Sequence, residues 1–309
     1  MRVPASHRSA YLLLLLTTLF WGGNAVAGKL AVGHVSPMLL TTLRWTLALA
    51  MLLPFSLGRL QTDWPAIRAN AGLLLLLGAL GFTLFNVGLY GGALFSSGIN
   101  LSIEQASVAL VVFTANFLLF RVRVTWGQVA GFLITIVGVL VTASHGEFAR
   151  LVTLDFNVGD LMMFGGVVAY GIYTVALRYR PAINWQSLMA ALSLGAVVSS
   201  LPFAYGEWLA GATRMPDAQG WGVVLYTAFF PSILAQVFYI RGVEMIGANR
   251  ASLFINLVPI FGTLLSLLVL RETFHLYHAA AIALVLGGIW VAETSGRRAA
   301  ANAAAGAVQ

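Results

Sequence analysis

Along this chain of 309 residues the charged positions come singly or in pairs, and between them run stretches of about twenty almost wholly apolar residues. The clearest occupies positions 246–273. It opens on small polar residues, carries no charge from Ala251 to Leu270, has Asn256 and Pro259 near its middle, and closes on Arg271-Glu272. Twenty residues at about 1.5 Å rise each span roughly 30 Å, the hydrocarbon thickness of a bilayer. The same punctuation predicts helices at 10–28, 38–56, 71–91, 100–120, 126–144, 159–177, 185–204, 220–240, 251–270 and 275–293. The predicted fold class is an all-α integral membrane protein of ten transmembrane helices.

The pattern repeats. A shift of 149 positions brings Trp21 onto Tyr170, Gly22 onto Gly171, Lys29 onto Arg178, Tyr90 onto Tyr239, Asn100 onto Asn249 and Gly138 onto Gly287, without a gap. Such a constant offset marks a tandem duplication. It divides the chain into a short N-terminal segment (1–9), a first five-helix repeat (10–144), a second (159–293) and an alanine-rich tail (294–309) expected to be disordered. Because each repeat has an odd number of helices, the second is inverted relative to the first, the architecture of alternating-access carriers.

Composition agrees: 60% of residues are hydrophobic and 9% charged, with a mean hydropathy of +0.89, against about 25% charged in soluble domains. The net charge of +7 is spread between apolar runs, which suits lipid headgroups and speaks against nucleic acid. With the N-terminus inside, twelve Lys and Arg fall in cytoplasmic segments and four (Lys29, Arg150, Arg214 and Arg271) on the other side, with Arg44 inside a span. Both termini are therefore expected in the cytoplasm of a bacterial inner membrane. Arg2 and Arg8 before the apolar run 11–20, with Ala25-Val26-Ala27 after it, imitate a secretory signal, but 21–29 has its counterpart at 170–178 in mid-chain, so the segment reads as a membrane helix. The chain has no cysteine, which excludes thiol chemistry and thiolate metal sites.

Phe20-Trp21-Gly22 with Asn24, Leu43-Arg44, and the block Gly247…Ala251-Ser252…Pro259…Arg271-Glu272 resemble the EamA-type transporters of the drug/metabolite transporter superfamily over residues 10–295. Within it, the chain is similar to bacterial exporters of aromatic amino acids and methyl viologen. The resemblance implies a central cavity lined by helices one, three, four, six, eight and nine. Two departures stand out: Leu110 is the counterpart of Pro259, and Arg123 that of Glu272.

Polar and aromatic residues at helical spacing concentrate on those same helices: Trp21, Asn24, Asn86, Tyr90, Ser107, Tyr170, Tyr173, Gln236, Tyr239 and Asn256 are the candidate substrate-binding residues, with Ser232 and Ser252 nearby. An amide in hydrocarbon costs several kcal/mol, about 2–7, unless it finds a partner, so these groups face one another or a wet cavity. Aromatic faces suit flat apolar groups and organic cations, and amides suit a zwitterionic headgroup, so a small-molecule amphiphile is the expected cargo. Amino acids, aromatic and other neutral ones, lead; nucleosides and cationic drugs are the alternative, and a purely structural scaffold the non-transport one. Glu104, Asp160, Glu272 and Glu293 fall at predicted helix ends, Glu104 being read as an interfacial charge, so export is expected without a built-in proton site. Arg44 is expected to turn inward in a structural role. His275 and His278 have no third ligand near them, and the sequence carries no hydrolase elbow, zincin motif or paired intramembrane carboxylates, so neither metal, cofactor nor enzyme is expected. Beyond substrate and lipid bilayer, a monomer or weak homodimer is expected.

Overall fold

The computed structural model describes residues 5–120, 125–147, 157–246, 251 and 254–306, and among them every regular element is helical. The first repeat comprises α1 (Ala5–Ala31), α2 (Pro37–Ala69), α3 (Ala71–Gly92), α4 (Gly98–Leu119) and α5 (Trp126–Ala143). The second comprises α6 (Val158–Tyr179), α7 (Trp185–Leu209), α8 (Ala218–Ile246), α9 (Val258–Leu270) and α10 (Leu276–Gly306). Eight are long and apolar enough to cross a membrane; α5 and α9 contribute shorter apolar helices.

Helix ends differ from the sequence expectation for two reasons. A charge ends a membrane span but not a helix, so α2 runs past Arg59, Asp63 and Arg68 to Ala69, and α8 runs past Arg241 to Ile246. The last helix likewise continues through the alanine-rich stretch to Gly306 instead of fraying at 294, since alanine is the best helix former. Gly247, Asn249 and Ser252, at the start of the 246–273 stretch, lie outside the described residues.

The duplication is visible in how the helices pair. Helix α2 packs on α7 and α5 on α10, each helix with its own repeat mate, as does α4 with α9; α1 packs on α8 while α3 packs on α6, and α1 on α9 while α4 packs on α6. Exchanging each helix for its counterpart returns the same set, the mark of a pseudo-twofold arrangement. The exchange extends to irregularities. A π-helical turn interrupts α3 at Ala79–Leu84 and α8 at Phe230–Leu234, and the 149-residue offset maps one onto the other to within two residues. Both α4 and the helix leading into α9 break into turns, at Ala106-Ser107 and at Asn256-Leu257, equivalent to within one residue. Broken helices at mid-bundle free backbone groups that must be satisfied by protein or by a wet cavity.

Close approach is secured by glycine at two seams. A Cβ on Gly22 of α1 would sit 2.7 Å from the nitrogen of Gly262 on α9, and one on Gly131 of α5 would sit 2.6 Å from the nitrogen of Ala292 on α10. Not every glycine in the sequence serves this purpose: Gly165 and Gly287 meet nothing within 4 Å.

The symmetry fails at one level. At the end of the bundle that carries the α1–α2 connection, α1 contacts α3 and α4; the equivalent contacts of α6 with α8 and α9, at the opposite end, have no comparable counterpart among the described residues. The first end is cross-tied. Glu272 after α9 accepts from the backbone nitrogens of Gly98 (2.7 Å) and Ile99 (3.0 Å) at the start of α4, and Lys29 donates to the Ala93 carbonyl (2.9 Å). Glu207 of α7 accepts from Ser36 Oγ (2.5 Å), Met38 N (3.2 Å) and Leu39 N (3.1 Å), His34 meets Asp217 (2.7 Å), and Gln219 donates to the Leu30 carbonyl. At the other end, Asp63 accepts from Asn184 N between α2 and α7, Thr125 meets Ser295 between α5 and α10, and Tyr11 of α1 meets Phe254 ahead of α9 with ring centroids 5.6 Å apart. Among the described residues, the carboxylate cap on an inner helix lies at the first, clasped end, where Glu272 holds the start of α4.

Candidate functional site

Arg44, on α2, sits inside the bundle with 4% of its surface exposed. Its Nε donates to Ser232 Oγ (2.8 Å), and its Nη1 donates to Asn24 Oδ1 (3.0 Å), Asn86 Oδ1 (2.7 Å) and the Tyr90 hydroxyl. Tyr90 in turn donates to Asn24 Oδ1 (2.9 Å), Ser232 donates to the Thr227 carbonyl (2.8 Å), and Asn86 Nδ2 donates to the Phe82 carbonyl. One guanidinium therefore gathers side chains from α1, α3 and α8 onto α2. Two of these acceptors stand next to backbone irregularity: Phe82 lies in the π turn of α3, and Ser232 in that of α8. The extra residue in each turn re-aims the side chains that follow it, a recurring use of π turns at functional sites.

All the neutral groups present their oxygen to the cation. No Asp or Glu among the described residues forms an ion pair with Arg44, so its charge is met by dipoles alone. Hydrogen bonds to a charged group are worth about 1.5–3 kcal/mol each, enough to offset the roughly 2.5–3.5 kcal/mol that an arginine costs at a helix centre on insertion scales.

Aromatic rings continue the network in two directions. The guanidinium stands 5.0 Å from the Trp45 ring, which stacks on Phe82 at 4.2 Å; Phe82 meets Tyr173 at 5.8 Å, Tyr173 meets Tyr170 at 5.3 Å, and Tyr170 meets Phe85 at 5.0 Å. On the other side Trp21 meets Tyr239 at 5.5 Å, and its indole nitrogen donates to the Pro231 carbonyl (3.2 Å). Trp21, Tyr170, Gln236 and Tyr239 all keep accessible surface although they sit on inner helices, whereas Asn24, Asn86, Tyr90 and Tyr173 are buried. The arrangement is a polar floor with aromatic walls.

Of the ten residues singled out in the sequence, Asn24, Asn86 and Tyr90 converge directly on Arg44, and Trp21, Tyr170, Tyr173 and Tyr239 belong to the aromatic contacts. Ser107 and Asn256 mark the two helix breaks; Ser107 is buried with its hydroxyl unpartnered. Gln236 follows the π turn of α8 and has no recorded side-chain hydrogen bond with the described residues. Arg44 was expected to turn inward in a structural role, apart from the candidate residues; the structure puts it at their centre. Trp45, Thr227 and Tyr226 were also missed. Trp45 directly follows Arg44 in sequence, and Tyr226 packs its hydroxyl against Gly23 of α1. An arginine alone in an apolar run was the available signal, since such a charge turns to the bundle interior and marks a functional path.

Glu104 also departs from expectation. It is 4% exposed, not an interfacial charge, and its Oε2 has no partner; nearby Asp160 is buried too, bonded through Oδ1 to Ser96 with Oδ2 unpartnered. Outside the spans, the Gly220 backbone N–H, with help from His34, holds the exposed Asp217 carboxyl below the usual carboxylate range. A separate crevice between α4, α5 and α10, lined by Leu110, Phe113, Phe132, Thr135 and Ile289 among others, shares no residue with the Arg44 network. No group of three metal-ligating side chains occurs among the described residues.

The EamA-like transporter family matches residues 8–144 and 157–294, one match per repeat. The chain belongs to the EamA-like transporter family. It is 26% identical over 284 residues to the uncharacterized transporter YetK of Bacillus subtilis, covering 91% of this chain and 86% of the relative. It is also 26% identical over 290 residues to an uncharacterized transporter of Archaeoglobus fulgidus, covering 91% and 97%. A solved structure titled only "Crystal structure of protein" is similar in fold, with a TM-score of 0.63 and 22% identity over 94% of this chain and 98% of that one. The protein is thus a multi-pass membrane transporter of small molecules, built of two EamA repeats.

Proposed function

We propose that this transporter exports small amphiphilic metabolites, neutral and aromatic amino acids first among them, from the cytoplasm through a cavity between the six inner helices. Trp21, Asn24, Asn86, Tyr90, Ser107, Tyr170, Tyr173, Gln236, Tyr239 and Asn256 form the binding site in this reading, and both termini face the cytoplasm of a bacterial inner membrane. The observation that carries it is the meeting of a hydrogen-bonding centre, Arg44 with Asn24, Asn86 and Tyr90, with accessible aromatic walls from Trp21, Tyr170 and Tyr239. A polar head and a flat apolar body find separate partners there. In this topology the clasped end is external, so the cavity opens to the cytoplasm, the state in which an exporter loads. A scaffold would have no use for a buried cation held by four neutral side chains.

The primary reading is downhill export, because no carboxylate among the described residues takes part in the Arg44 network. A second reading, proton-coupled export, is favoured by one observation: Glu104 is buried with an unpartnered carboxylate oxygen. Uptake by proteoliposomes of labelled phenylalanine, tryptophan, threonine, uridine and methyl viologen, with and without a pH gradient, tests both. Uptake of the amino acids regardless of the gradient supports the primary reading. A strict gradient requirement favours the second, and uptake confined to uridine or methyl viologen replaces the cargo.

A further inference from the structure

Arginine has five N–H donors in a fixed planar fork. In Arg44 the one on Nε goes to Ser232, and the two on Nη1 are shared among Asn24, Asn86 and Tyr90. The two on Nη2 meet no acceptor among the described residues, yet Nη2 is not sealed in protein as Glu104 Oε2 and Asp160 Oδ2 are. Asn24 shows the same division: Oδ1 accepts from Arg44 and Tyr90, which fixes the amide orientation, while Nδ2 has no recorded partner and is likewise unsealed. Two unused donor groups, one carrying a full positive charge, therefore belong to side chains that the Nη1–Oδ1 bond joins at the polar floor. Oxygen acceptors from three helices hold Nε and Nη1 and leave the Nη2 side of the guanidinium free.

We propose that this free edge is a carboxylate site: the cargo docks head-first, its carboxylate oxygens accepting from Arg44 Nη2 and Asn24 Nδ2, with its body against the aromatic walls. The proposal rests on the transport reading above and narrows it to anionic or zwitterionic carboxylates. A guanidinium nitrogen and an amide N–H can each donate to one carboxylate oxygen, and a buried cation without a resident counter-ion gains most from a ligand that brings one. A cation lacking a carboxylate, such as an amine or a quaternary drug, meets repulsion at the same floor. The neutral shell matters here. A resident Asp or Glu would pair with Arg44 permanently, whereas amide and hydroxyl dipoles hold it in place and leave its charge to be answered by the cargo.

The test uses the full chain in nanodiscs, with the fluorescence of tryptophans, which include Trp21 and Trp45, reporting binding of L-phenylalanine, phenylacetate and phenethylamine. The two carboxylates are expected to bind about 10- to 100-fold more tightly than the amine, the range of a charge-assisted contact. Arg44→Met collapses that preference. Where its folding fails, Asn24→Asp serves instead, because it keeps the cation and fills its open edge with a resident carboxylate; phenylacetate affinity then falls while the melting temperature holds. Equal binding of amine and carboxylates, no carboxylate binding at all, or a preference that survives either substitution overturns the proposal. A merely structural Arg44 lowers the melting temperature without changing the ratio. If phenylacetate binds through Arg44 but no amino acid is taken up by proteoliposomes, the cargo reading fails and the carboxylate site stands.

Discussion

Glu272 offers the sharpest handle on the clasped end. Its two oxygens accept from the first two backbone N–H groups of α4, at 2.7 and 3.0 Å, which places an anion on the positive end of a helix dipole. Hydrogen bonds of this charge-assisted kind contribute about 1.5–3 kcal/mol apiece. Glu272 is half-buried, so the pair is credited with one bond's worth, about 1.5–3 kcal/mol, lost when the end opens to water. Glu272→Ala then raises the open fraction of that end by about 10- to 150-fold. The chain's lack of cysteine makes the readout clean. Ser102, fully buried and facing Gly262 across the α4–α9 seam, becomes the single reporter as Ser102→Cys, labelled by an impermeant maleimide added to each side in turn. Labelling from the clasped side should speed up by at least about tenfold in the Glu272→Ala background, the lower limit of that range. Glu207→Ala is the control, because it removes a similar cap from a flanking pair, α7 on α2, and should lower the melting temperature without changing the labelling rate. An unchanged rate in Glu272→Ala refutes the clasp; an equal rise in Glu207→Ala refutes the division into inner and flanking helices.

Three further outcomes are expected. Gly22→Ala forces a methyl to within 2.7 Å of the α9 backbone and should destabilise the fold by about 1–3 kcal/mol, seen as a lower melting temperature. Glu104→Gln keeps the shape and removes the ionisable group: under the primary reading uptake keeps its pH profile, and a profile flattened by the substitution establishes proton coupling. Since Asp217 has its carboxyl held below the usual range, its ionised form adds stability at neutral pH that is lost as pH falls from its unfolded value, about 3.9, through the folded one; the melting-temperature gap between the native chain and Asp217→Asn should close on acidification through that window.

The span pattern, the duplication and the helices that meet at the centre were legible because each rests on composition or spacing. Hydropathy reports burial in lipid directly, and an offset of 149 residues survives divergence of the residues themselves. Arg44 was visible as an anomaly, but its partners were not: Asn24, Asn86 and Ser232 lie 20, 42 and 188 residues away in sequence. Only packing brings them to one guanidinium. The π turns of α3 and α8 were equally hidden, since the stretches Ala79–Leu84 and Phe230–Leu234 share no residue signature beyond the proline in the second. Glu104 was misplaced for a related reason. Four residues after the predicted start of its span it reads as interfacial, yet the serines and asparagine around it, and the packing of α4 on α1, α6 and α9, draw it inward.

Divergence between the repeats explains why a symmetric scaffold carries a one-sided chemistry. The 149-residue offset places Ser193 opposite Arg44, Tyr173 opposite Asn24 and Ala235 opposite Asn86, so the polar side chains that converge in the first repeat have an aromatic and two small residues as mates. Only Tyr90 keeps its kind, in Tyr239, and there the phenol meets Trp21 instead of a cation. The polar floor is thus supplied almost entirely by one repeat, and much of the aromatic wall by the other. Clasping follows the same division, because Glu272, which caps α4, has Arg123 as its mate, and a cation has no affinity for a helix N-terminus. Two ends built from the same template therefore close with unequal strength. In the proposed export topology, where the clasped end is external, that inequality keeps the resting protein facing the cytoplasm and makes the outward transition the step at which a bound cargo must offset the broken cap.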